Sequence, residues 1–236
     1  MMKVIVTGAG RGIGYDTVLA LAAHPGCQIL ALSRNMGHLG QLKRTALERY
    51  PDSMVEIAHL DLEVAIPIEF PAWAAGILGG VDILIHNAGL LINKPFPELS
   101  RSDWSRLFNV NIIGVAELTQ AMLPWLRQSP DAHIVHIGSM GGFQGSAKFP
   151  GLSAYSASKA ALACLTECLA EEWKTEGIAV NCLAIGAVQT EMLEEAFPGY
   201  RAPLTSAEMA AFVSDFALKG HRYFNGKILP VSVSTP

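Results

Sequence analysis

Thr7-Gly8-Ala9-Gly10-Arg11-Gly12-Ile13-Gly14, set directly behind the β-branched run Val4-Ile5-Val6, is the stretch from which the fold is read. The apolar run is short and does not alternate, as expected of a strand buried on both faces in a parallel sheet. Helical periodicity follows from Tyr15 to about residue 23. The spacing Gly-x-Gly-x-x-Gly does not fit, because Ile13 stands where its third glycine would fall. A longer spacing does fit: Gly8, Gly12 and Gly14, with Gly10 between them. Glycine lets a backbone turn tightly and approach a pyrophosphate, whose charge then rests against a helix N-terminus. A flexible strand–helix turn would also use glycine, but four in seven residues exceeds what a turn requires. The stretch predicts a strand, a nucleotide-cradling loop and a helix.

Outward from it, residues 27–33 read as a second strand, with Ser33 and Arg34 at its end. A carboxylate in this region would hold the 2′-hydroxyl of NAD. A small polar residue with Arg34, and Arg11 in the glycine loop, suits a 2′-phosphate instead and leaves nothing to repel it. The cofactor expected is therefore NADP(H) rather than NAD(H), although two surface arginines would look the same. Residues 41–49 read as a helix and 54–60 as a third strand, ending at Asp61 and Leu62. Asp61 is placed either to accept from an adenine amino group or to cap the next segment. Pro67 and Pro71 predict an irregular stretch after it. Residues 81–86 form a fourth strand entering Asn87-Ala88-Gly89, whose small residues leave room for a ligand at the sheet edge.

Residues 101–127 read as one long helix containing Asn109 and Asn111. An Asn inside an apolar helix needs a partner, and a structural hydrogen bond is one answer. A fifth strand, 132–138, delivers Ser139, with His133 and His136 read as core residues. A glycine-rich loop, 140–153, leads to a helix over 154–174. Residues 178–183 form a sixth strand containing Asn181. An irregular region runs from there to Pro203 and includes Gly186, Val188 and Thr190. A helix over 205–218 and a last strand over 227–233 complete the chain. Strands and helices alternate without linker or repeat. The prediction is one α/β domain, residues 1–236: a Rossmann-type doubly wound parallel sheet of about seven strands with helices on both faces.

The second informative stretch is Tyr155-Ser156-Ala157-Ser158-Lys159. Positions four apart share a helix face, so the Tyr155 hydroxyl and the Lys159 ammonium can line one pocket wall. A phenol titrates near ~10, too high for proton exchange near neutrality. A nearby cation should pull that value down. The spacing alone also fits an ordinary surface pair. The helix middle, residues 160–166, is small or apolar on nearly every face, which predicts burial against the sheet and against another subunit.

Composition narrows the classes. Of 236 residues half are hydrophobic, and the net charge is −4 with no basic cluster, which argues against nucleic acid or an anionic membrane as partner. No apolar run reaches the length of a membrane span or of a signal peptide. Cys27, Cys164, Cys168 and Cys182 show no Cys-x-x-Cys pairing and no metal-ligand set, and read as buried reduced thiols. The expectation is a soluble cytoplasmic protein without a metal.

Taken together, these motifs resemble the short-chain dehydrogenase/reductases along nearly the whole chain. Thr7-Gly8-x-x-x-Gly12-x-Gly14 is similar to the family's cofactor loop, Asn87-Ala88-Gly89 to its sheet-stabilising motif, and Asp61 to its adenine contact. Asn111, Ser139, Tyr155 and Lys159 follow the order and approximate spacing of its catalytic tetrad. Asn181 and Thr190 match positions that brace the site and meet the nicotinamide carboxamide. The resemblance implies hydride transfer. Tyr155 would protonate a carbonyl oxygen, Lys159 would tune Tyr155 and hold the nicotinamide ribose, Ser139 would bond the carbonyl, and Asn111 would keep a relay water. The cofactor contacts implied are Gly8, Gly10, Arg11, Gly12, Ile13, Gly14, Ser33, Arg34, Asp61, Leu62, Asn87, Ala88, Gly89, Tyr155, Lys159, Gly186, Val188 and Thr190.

This sequence departs from the family in three places. Ile185 precedes Gly186 where a proline is usual, the loop from Ser139 to Tyr155 is longer, and the final strand lacks a glycine pair. Apolar candidates for the substrate wall are Leu90, Leu91, Met140, Phe143, Phe149, Leu152, Met192 and Phe197. The leading expectation is an NADP(H)-dependent carbonyl reductase for a small or medium apolar ketone or aldehyde, assembled as a homodimer or homotetramer. The alternative is a nucleotide-sensing or scaffold protein that keeps the fold without turnover.

Overall fold

The computed structural model describes residues 1–233. Six strands, β1 (Met2–Thr7), β2 (Cys27–Ser33), β3 (Met54–His59), β4 (Ile83–His86), β5 (His133–Ile137) and β6 (Ala179–Ile185), are followed by a two-residue pair, β7 (Val188–Gln189) with β8 (Leu204–Thr205), and by β9 (Ile228–Val231). The main sheet has seven parallel strands in the order β3-β2-β1-β4-β5-β6-β9. Val4, Ile5 and Val6 are fully buried at its centre, with Val4 level with Ile29 on one side and Ile83 on the other. The chain reverses its direction of travel across the sheet between β1 and β4. A crevice opens at such a switch, outside the carboxyl ends of the strands.

Helices cover both faces. Against one face lie α1 (Gly12–Ala22), α2 (Met36–Arg49) and, from the far end of the chain, α8 (Ser206–Lys219), through Val18, Leu39, Leu42 and Val213. Against the other lie α3 (Phe70–Leu78), α5 (Gly114–Leu126) and α6 (Ser153–Glu172), through Ala74, Leu118, Met122 and Ala170. Two shorter helices, α4 (Arg101–Phe108) and α7 (Glu191–Ala196), flank the carboxyl edge. His133 and His136 are buried core residues facing opposite sides, one bonded to the Ala217 carbonyl and the other to Thr166.

Several local expectations are corrected. Helix α2 begins at Met36 rather than residue 41, because the Asn35 side chain accepts from the His38 N–H and caps it. The stretch carrying Pro67 and Pro71 forms α3: Pro71 sits in the first turn, where no N–H donor is needed, and Gly79 ends the helix in the left-handed conformation. The region before Pro203 likewise contains α7, capped by Thr190. The long helix over 101–127 is divided by a π-turn at Asn109–Ile113. Cys27 and Cys182 are buried, but Cys164 and Cys168 are exposed. The buried stripe of α6 is Ala154, Ser158, Leu162, Thr166 and Ala170, so both thiols fall on the opposite side of the helix. No helix among the described residues is long and apolar enough to cross a membrane.

Candidate active site

The ends of β1 and β4 are knitted into one unit. Thr7 Oγ1 accepts from the backbone N–H groups of Asn87 and Ala88 at 3.1 and 3.0 Å, and Asn87 Nδ2 donates to the carbonyls of Thr7 and Gly8, both at 3.1 Å. Gly8 and Gly12 carry positive φ, +67° and +57°. A methyl group on Gly14 would stand 2.3 Å from Asn87 Nδ2 and 2.4 Å from the Gly8 carbonyl oxygen. These glycines are required by close approach. Helix α1 opens with no acidic residue in its first turn and no side-chain cap, which leaves its N–H groups able to receive an anion.

A cleft of about 430 Å³ runs over this cradle. It brings together Gly8, Gly10, Arg11, Gly12, Ile13, Ser33, Arg34, Asp61, Leu62, Asn87, Ala88, Gly89, Tyr155, Lys159 and Thr190. Its glycine floor and the free N-terminus of α1 fit a nicotinamide dinucleotide. Gly14 lies beneath the floor, while Gly186 and Val188 line a second cavity instead. Three polar cleft residues were not singled out in the sequence: Asn35, His38 and Glu191. The Asn35 cap three residues before His38 was the available signal for the first two.

Arg34 Nη1 lies 3.6 Å from Glu63 and 4.0 Å from Asp61, and Arg106 also holds Glu63 at 2.8 Å. The surroundings of Arg34 are therefore not free of carboxylates, contrary to the expectation from sequence. Arg11 is paired with Glu195 of α7 at 2.6 Å.

At the other end, Lys159 is buried and Nζ donates to the Ile137 carbonyl at 2.8 Å. Burial holds its pKa down to about 8. Burial pushes the Tyr155 hydroxyl up, and a hydrogen bond with Ser139 opposes that shift. The expected downward pull of Lys159 on Tyr155 is thus corrected: burial sets the direction, what opposes it is Ser139, and the Lys159 ammonium is turned to the Ile137 carbonyl. Gly141 keeps the group compact, since a methyl there would stand 3.1 Å from Ser156 Oγ and 3.4 Å from Ser139 Oγ. Asn111 is fully buried in the π-turn. Its Oδ1 accepts from the Leu90 N–H at 2.8 Å, and its Nδ2 donates to the Leu90 carbonyl and to Ser158 Oγ at 3.0 and 2.9 Å. Ser158 Oγ in turn donates to the Tyr155 carbonyl at 2.7 Å. The Asn111 side chain therefore serves a structural role, tying the Gly89 turn to the helix of Tyr155. Asn181 lines neither cavity; its amide bonds His133 at 3.1 Å and the Phe224 carbonyl at 2.9 Å.

The second cavity, about 290 Å³, meets the cleft at Tyr155. Ser139, Tyr155 and a mostly apolar set line it: Leu91, Met140, Phe149, Leu152, Met192, Leu193, Phe197 and Tyr200. Leu90 lines the cofactor cleft instead, and Phe143 lines neither cavity. Gly186 is fixed by its neighbours, since a methyl on it would stand 2.2 Å from Ser232 Oγ and its N–H donates to Val231. Residues 234–236 lie outside the described residues.

Residues 2–201 match the model of the short chain dehydrogenase family. The chain belongs to that family, and is an oxidoreductase. Carbonyl reductase [NADPH] 2 of Sus scrofa is 32% identical over 192 residues, 81% of this chain and 73% of that one. A short chain dehydrogenase of Shigella flexneri complexed with NADP superposes with a TM-score of 0.88 at 28% identity, covering 97% of this chain and 96% of that one. An NADPH-bound short chain oxidoreductase of Pseudomonas aeruginosa gives 0.89 at 25% identity, covering 100% and 97%.

Proposed function

We propose that the protein is an NADP(H)-dependent carbonyl reductase for small or medium apolar ketones and aldehydes. The observation that carries this reading is the junction at Tyr155 of a polar, glycine-floored cleft and an apolar cavity of about 290 Å³. Volume and lining favour a compact hydrophobic carbonyl compound. Bound nicotinamide would supply the hydride. Tyr155 gives the carbonyl oxygen its proton, and Ser139, on the same cavity wall, fixes that oxygen by a hydrogen bond. Lys159, which lines the same cleft as Tyr155, holds the nicotinamide ribose. Asn111 positions the Gly89 turn against α6.

The NADP(H) preference rests on Ser33 and Arg34 at the end of β2, on Arg11 in the glycine loop, and on NADP in similar proteins. Its test is a titration of NADPH and NADH, each followed by a thermal shift, because a ligand that binds only the native state raises its stability by mass action. A larger shift with NADPH, lost in Arg34→Ala, is expected. Equal shifts would remove the preference and reopen an NAD-linked alcohol oxidation.

A further inference from the structure

Helix α7 carries two carboxylates toward the glycine loop. Glu195 takes the Arg11 guanidinium with both oxygens, Nη1 at 2.6 Å and Nη2 at 3.4 Å. One turn earlier, a Glu191 carboxylate oxygen lies 3.6 Å from where a methyl on Gly12 would stand. A bidentate arginine–carboxylate pair uses the same parallel donors that a phosphate would use. Arg11 lines the cofactor cleft, so the donors held by Glu195 belong to the cleft's own cation. Neither carboxylate has a part in the chemistry at Tyr155.

We propose that Glu195 is a specificity residue for the cofactor, competing with the adenosine 2′-phosphate for Arg11 and so holding down affinity for the phosphorylated cofactor. The inference rests on the NADP(H) reading above. The ion pair is partly exposed, 44% for the Arg11 side chain and 64% for Glu195, so it is weak and exchangeable. The mutual shifts agree with that pairing: the Glu195 hydrogen bond raises Arg11, and Arg11 lowers Glu195. A dianionic phosphate also brings more charge to the guanidinium than one carboxylate, which lets it win the exchange. Glu191 adds to the negative field that the phosphate must overcome.

The test is the dissociation constants of NADPH and NADH for the unmodified enzyme, Glu195→Gln, Arg11→Ala and the double variant, with thermal unfolding of each ligand-free protein to check folding. Glu195→Gln should tighten NADPH about two- to fivefold, the range an exposed pair allows, and leave NADH unchanged. Arg11→Ala should weaken NADPH, and in that background Glu195→Gln should have no effect. If Arg11→Ala weakens NADPH but Glu195→Gln leaves it unchanged or weakens it, Glu195 orients Arg11 rather than competing for it, and this inference alone falls. Equal tightening of both cofactors would also overturn it, as a general field effect. An Arg11→Ala variant with unaltered NADPH affinity takes Arg11 out of the phosphate site and removes the inference together with its part of the NADP(H) reading.

Discussion

Lys159 carries its charge in a buried position, with its pKa held near 8 against an ordinary 10.5. Between these values the unfolded chain keeps the proton that the folded chain has released. Stability therefore rises with pH across that window, and below it the full cost of the buried charge is present. Urea melts should show this rise between pH 8 and 9, before the buried Cys182 thiol, pushed up to about 11, begins to oppose it, and Lys159→Met should flatten it. The buried histidines act at the acid end. His133 and His136 are held down to about 4 and 3 by burial, so below 6.5 the unfolded chain gains protons that the folded one refuses. Stability should fall as pH drops from 6.5 toward 4, and the slope should be shallower in His136→Asn. That Tyr155, Lys159 and Ser139 would meet was an expectation from the family resemblance, since the Tyr155–Lys159 spacing alone also fits a surface pair. The side-chain role of Asn111 was not legible, because its partners Leu90 and Ser158 are 21 and 47 residues away. The exposure of Cys164 and Cys168 was hidden for a different reason: an apolar helix with small residues on every side does not declare which side faces the sheet.

Among the elements, the glycine loop is the most constrained. Gly14→Ala would drive a methyl into a backbone carbonyl and an amide that are both held by other bonds, so it cannot be relieved by a side-chain rotation. Overpacking of this kind costs about 1–3 kcal/mol, and the variant should lose that much in a denaturant melt together with cofactor binding. An unchanged melting profile would mean that α1 can shift without cost. The seven strands of the main sheet were legible within about two residues at each end, as apolar runs of strand length, whereas the two-residue β7 and β8 were not. Helix α3 was not legible either, because proline in a first turn reads like proline in a loop. The π-turn was also invisible: it places Gly114 where a methyl would stand 2.4 Å from the Leu62 carbonyl, a contact between distant segments that no periodicity reports.

On the scale of the whole molecule, the sheet order places both cavities at the carboxyl ends of the strands, and the outer face of α6 away from them. That face presents Ala157, Ala160, Cys164 and Cys168, small side chains that permit close helix approach. We propose that it pairs with a second copy. The mass in solution should be two or four times 25.2 kDa, and Ala160→Arg should reduce it; a single-chain mass at micromolar concentration would contradict the pairing. The central claim is reduction of an apolar carbonyl at Tyr155. Its most direct test is NADPH consumption with a panel of small apolar ketones, for the unmodified enzyme and for Tyr155→Phe. Turnover that falls about 10²-fold or more in the variant, with NADPH affinity retained, is predicted. Saturable binding without turnover in the unmodified protein, or near-normal reduction by Tyr155→Phe, would contradict it.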